Sequence, residues 1–194
     1  MPKSEMISVL HSLYKVLAVH HQGHMELRAC PKCTGGETAS SATCFVDGTL
    51  PLQECFDANP FMFLRDYQNT YGQDGDADFL GALPDVNFPE RGYYSPKMGG
   101  GNQPDPEYVF EYKVPDDLEP GEALLQYIYV TGNACSSDGY DEYFTNATSS
   151  IDMRFDDWWS PGLSECVETS DTGTWRQCDC GERFWNCVEV NVVV

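Results

Sequence analysis

Three stretches of this chain alternate apolar and polar positions with a period of two. Met25, Leu27 and Ala29 interleave with Glu26 and Arg28. Tyr108, Phe110, Tyr112 and Val114 interleave with Val109, Glu111 and Lys113, and Val188, Val190, Val192 and Val194 interleave with Glu189 and Asn191. Successive strand side chains point to opposite faces, so each stretch predicts a half-buried antiparallel strand. A fourth, "ALLQYIYVT" at 123–131, is apolar on both faces and predicts a more central strand. "PDDLEPG", from Pro115 to Gly121, predicts a turn-rich connection between two strands. Residues 6–18 fit either a helix or a strand, and no helical period persists beyond residue 18. Residues 66–106 and 132–183 predict long loops, the first rich in Gly, Pro, Asp and Asn, the second holding cysteines able to pin it. The composite is an all-β, immunoglobulin-like or fibronectin-like antiparallel β-sandwich with long disulfide-pinned loops. Loops of that length on a rigid sandwich usually carry function.

Size and charge narrow the partners. At 194 residues the chain suits one domain with a single core. Eleven Lys and Arg against thirty-one Asp and Glu give a net charge of -20. That field repels phosphate backbones and anionic lipid surfaces, which argues against nucleic-acid and membrane roles and leaves neutral ligands. A monomer is expected, and much of the charge serves solubility. No run approaches the length of a membrane span.

Nine cysteines, Cys30, Cys33, Cys44, Cys55, Cys135, Cys166, Cys178, Cys180 and Cys187, are spread over the chain. They predict a disulfide framework and an oxidising compartment, with one thiol left over by the odd count. Zinc held by Cys30-x-x-Cys33 with Cys178-x-Cys180 is the alternative, and the second spacing is wrong for a zinc knuckle. Asn146-Ala147-Thr148 is a glycosylation sequon, in keeping with secretion. The first nineteen residues make a poor signal peptide, because Glu5, His11, Ser12, Tyr14 and Lys15 interrupt it.

Three of the four histidines, His20, His21 and His24, fall in "HHQGHMELRAC" at 20–30. Alone they describe a strand end with solvated imidazoles more readily than a metal site. Tyr93-Tyr94 and Trp158-Trp159 offer flat rings for sugar stacking or for small satellite cores. Acids such as Asp156, Asp157, Glu182 and Glu189 are too numerous for any pair to indicate glycosidase chemistry.

Four patches in order carry a resemblance: "HHQGHMELRAC", "ECFDANPFMF" (54–63), "KVPDDLEPGEALLQYIYVTGNAC" (113–135) and "ERFWNCVEVNVV" (182–193). Together they resemble the lytic polysaccharide monooxygenases of the chitin-binding type-4 superfamily, eukaryotic branch, over residues 16–194. Residues 1–15 are left as an uncertain leader or a spurious start. The resemblance implies one copper in a histidine brace, made by an N-terminal histidine's amine and ring together with a second histidine. Nitrogen donors of that kind suit copper in both redox states. It implies oxidative cleavage of chitin or cellulose, in a secreted protein.

Carried over by residue, the resemblance makes His21 the metal-binding brace histidine and Phe184 the axial aromatic. It places His24 beside the site and implies a bridge between Cys135 and Cys187. Tyr127 stands where the family usually has Trp. No second brace histidine is supplied by the chain as written, which begins Met1-Pro2-Lys3. The expectation is therefore an incomplete sandwich lacking its N-terminal part, binding copper weakly or not at all and without normal oxidative cleavage. A non-catalytic secreted glycan-binding or structural β-sandwich is the alternative.

Overall fold

A computed structural model describes residues 9–15, 23–66, 84–94, 107–132, 135–147 and 183–193. The elements in order are β1 (Val9–Lys15), β2 (Gly23–Pro31), α1 (Gln53–Asp57), β3 (Met62–Asp66), β4 (Gly92–Tyr94), β5 (Glu107–Lys113), β6 (Gly121–Thr131), α2 (Tyr140–Ala147) and β7 (Arg183–Val192). They form two antiparallel sheets, β1-β5-β3 and β4-β2-β6-β7, and the all-β expectation holds. The ambiguous segment 6–18 contains a strand, with Val9 to Lys15 paired along β5.

The core lies between the sheets. Phe63, Phe110 and Tyr112 of the smaller sheet meet Met25, Leu27, Ala29 and Leu125 of the larger one. The rings of Phe63, Phe110 and Tyr112 meet edge to face, the arrangement their quadrupoles favour. Gly92, opposite Met25, keeps this layer closed. A Cβ there would sit 2.6 Å from Tyr112 Oη and 3.0 Å from Phe63 Cδ2. Its absence lets Tyr112 Oη donate a 3.0 Å hydrogen bond to the Met25 carbonyl.

Strand β6 is central, as its two-sided apolar pattern predicts, with β2 on one side and β7 on the other. The turn at 115–121 connects β5 to β6 as expected. Strand β2 departs from the half-buried pattern, because Glu26 on its polar face is only 7 % exposed. Even-numbered residues of β2 face away from the core, yet other elements cover them. At one end Tyr93 of β4 and Tyr140 of α2 pack on His24. At the other, α1 packs through Cys55 and Phe56 against Cys30, with Phe45 and Leu124 alongside.

Two disulfides pin this covering layer, Cys30–Cys55 and Cys33–Cys44. They remove the zinc alternative at Cys30 and Cys33, since the coordinating form of cysteine is the thiolate. The implied Cys135–Cys187 bridge is corrected as well. Cys187 is a free, exposed thiol and Cys135 is disulfide-bonded elsewhere. The β6–β7 register gives the reason: Cys187 lies opposite Gln126 in mid-strand, whereas Cys135 follows the end of β6 at Thr131.

Candidate functional site

The outer face of β2, β6 and β7 carries a chain of linked polar side chains. Residues in register across a sheet share a face. One row runs Tyr93, His24, Val130, Arg183, and the next on the same face brings Glu26 beside Ile128 and Trp185. All of these except the buried Tyr93, together with Arg28 and Gln126, form the base of a cleft of about 530 Å³. Gln53 and Asp57 of α1 wall one end, and Phe88, Arg91, Ser137 and Asp138 the other.

A continuous chain of hydrogen bonds runs along this base. Glu26 Oε1 lies 2.9 Å from His24 Nε2, and an ionised carboxylate can only accept, so Nε2 carries the proton. That leaves His24 Nδ1 to accept from the Tyr140 hydroxyl. Glu26 Oε2 takes Arg28 Nη2 at 2.5 Å, and Arg28 Nη1 pairs with Asp57. Gln53 Nε2 donates to Asp57 Oδ1 at 2.9 Å, and the amides of Gln53 and Gln126 exchange bonds of 3.1 and 3.2 Å.

Burial sets the protonation of this chain. His24 is 2 % exposed, and desolvation holds its imidazole below the ordinary value, against the pull of Glu26; the charges of Arg91 and Arg183 add to the lowering. Burial alone would raise the Glu26 carboxyl, but the His24 hydrogen bond and the Arg28 guanidinium outweigh it and hold it at about 2. Burial pushes the Tyr140 hydroxyl up. Tyr140, His24 and Glu26 have the connectivity of a nucleophile–base–acid triad, but Tyr140 is fully enclosed and does not line this cleft. The three form a structural network that positions Glu26 and Arg28.

The residues expected from the sequence fall apart in space. Phe184 follows Arg183 in β7 and so lies on the opposite face from His24, stacked on Tyr129 with ring centroids 5.6 Å apart. It is 53 % exposed. His20 and His21 lie outside the described residues, as do Trp158, Trp159, Asp156, Asp157 and Glu182. Tyr93 is no sugar platform. It is fully buried and stacked on Tyr143 at 3.7 Å, the satellite-core alternative.

For copper, the described donors do not fit. His24 has both ring nitrogens engaged and is enclosed on the face away from Phe184. Among the described residues, Cys33, Glu37 and Cys44 also bring donor atoms within 4.8 Å of one another. Cys33 and Cys44 are joined as a disulfide and Glu37 accepts from the Gly35 amide, so that group serves its loop. Sequence reasoning missed the cleft, because Gln53, Phe88, Arg91, Ser137 and Asp138 come from segments without period. The alternation of His24, Glu26 and Arg28 on β2 was the available signal for its base.

No family model and no curated protein matches the sequence. A solved structure that this chain is similar to is "Lytic Polysaccharide Monooxygenase AA15 from Thermobia domestica in the Cu(I) State", with a TM-score of 0.44 and 16 % identity. The alignment covers 95 % of this chain and 58 % of that one, so the chain spans less than two thirds of that structure's length. No helix among the described residues is long and apolar enough to cross a membrane.

Proposed function

We propose that this chain is a secreted polysaccharide-binding β-sandwich of the monooxygenase type, directed at a neutral glycan such as chitin or cellulose and without oxidative activity of its own. One observation carries the reading. The strand that opens at Gly23 and the strands bearing "LLQYIYVT" and "RFWNCVEV" are sequence-distant but stand side by side as β2-β6-β7. That adjacency is what a shared ancestral site on those strands requires. Disulfides in the covering layer agree with an oxidising compartment.

Under this reading His21 is the position that would hold a metal, Phe184 is the aromatic beside it, and His24 orders the neighbouring strand from its other face. Since the described donors do not fit copper, no oxidative step is assigned. The exposed ring of Phe184 supplies apolar surface for sugar faces. The test is depletion of the full chain from solution by β-chitin and by microcrystalline cellulose, alone and with copper and ascorbate. Saturable retention on one of them with no oxidised oligosaccharides is the expected result. Failure to bind either solid removes the proposal, and release of oxidised ends overturns its non-oxidative part. A type-2 copper signal lost in His21→Ala would restore the metal role.

A further inference from the structure

The cleft on the outer face is electrically lopsided. At the α1 end Arg28 is matched by two carboxylates, Glu26 and Asp57. At the other end stand Arg91 and Arg183, and neither makes an ion pair among the described residues. Arg91 Nη1 donates to the Asp138 main-chain carbonyl at 2.5 Å, and its guanidinium lies 3.7 Å above the Phe88 ring. Arg183 lies in the same cross-strand row as His24, and Arg91 lines the same end of the cleft. Among the described residues, Asp138, which is exposed, is the one carboxylate that lines the cleft at this end. A local positive end therefore persists in a chain of net charge -20.

The rest of the cleft is mixed in character. Trp185, 57 % exposed, and Ile128 give an apolar wall, while the Gln53–Gln126 amide pair and Ser137 give hydrogen-bonding groups. A volume of about 530 Å³ is that of a small-molecule site. An apolar platform beside planar polar groups suits a sugar ring, whose C–H faces stack while its hydroxyls pair. Guanidinium without an ion-pair partner among the described residues suits a carboxylate, which it binds through paired N–H donors.

We propose that this cleft binds a saccharide carrying a carboxylate, with Arg183 and Arg91 as partners of the acid group and Trp185 against the ring. The site lies on the face opposite Phe184 and stands independently of the polysaccharide reading above. Calorimetric titration of the full chain with sodium D-glucuronate tests it, with glucose and acetate as separate arms. Saturable binding of glucuronate, about tenfold tighter than either glucose or acetate and weakened by salt, is expected. Arg183→Gln should weaken it by about tenfold, whereas Lys32→Gln, a cation outside the cleft, should leave it unchanged. Arg183 is exposed, so its variant should keep the parent's circular dichroism, and Trp185→Ala provides a second variant with the same expected direction. Absence of saturable binding, glucose or acetate binding as tightly as glucuronate, or a folded Arg183→Gln that binds like the parent would each overturn the proposal.

Discussion

The two faces of the β4-β2-β6-β7 sheet are made from the same strands and do different work. On the inner face Met25, Leu27, Ala29 and Leu125 close against the aromatic layer of the other sheet, and size and shape decide the outcome. One residue along, His24, Glu26, Arg28 and Gln126 face outward into a layer that is covered but ionic, where each group depends on a named partner. The inner face should tolerate volume-conserving change, whereas on the outer face removal of a buried partner such as Glu26 should leave a charge without its match. A period of two therefore separates packing from chemistry on each strand.

The largest effect should come from breaking the outer chain. Glu26→Ala leaves Arg28 and His24 without their shared carboxylate, and a loss of about 3–5 kcal/mol is expected for a mostly buried ion pair. Denaturant melts of the variant measure it, and a loss below about 1 kcal/mol would mean that solvent screens the network. On the inner face, Leu27→Ala should cost about 3 kcal/mol by cavity formation, with no change in pH dependence. A pH-sensitive loss in that variant would blur the distinction between the faces.

Acid should act on the outer face alone, and in two steps. His24 has a lowered pKa in the fold, so the unfolded chain takes up the proton first and stability falls as pH drops below about 6.5. Glu26, held at about 2 against an unfolded value of 4.5, adds a second decline between those values. His24→Gln should flatten the first step in urea midpoints taken from pH 8 to 5. If the first decline keeps its slope in that variant, another group causes it. The smallest effect is expected at the rim: Trp185→Ala should change stability by no more than about 0.5 kcal/mol, because the ring is more than half exposed. A larger loss would make Trp185 part of the packing and not of the cleft's ligand wall.

Much of the inner face was legible from alternation. Met25 to Ala29, Phe110 to Tyr112 and the central run at 123–131 lie in strands of the expected class. Strand β4 and helix α2 were not, since three and eight residues are too few to show a period inside loop-like composition. The outer face was misjudged for a related reason. Glu26 looks solvent-facing until Tyr140, 116 residues from His24, and Asp57, 29 residues from Arg28, close over the strand. Contacts at such separations leave no local trace. The aromatic Phe184 and the histidine His24 could be found as residues, but which face each occupies depended on register.

Helix α1 has five residues, and the Leu52 side chain at its start makes no capping hydrogen bond. A turn that short does not hold itself, and Cys30–Cys55 fastens it to β2. Gln53 and Asp57 therefore stand at the cleft as a hinged door on one covalent latch. Both half-cystines are fully buried, so a thiol reaches the latch only after the covering layer has opened, and the wall keeps its place for as long as that layer does.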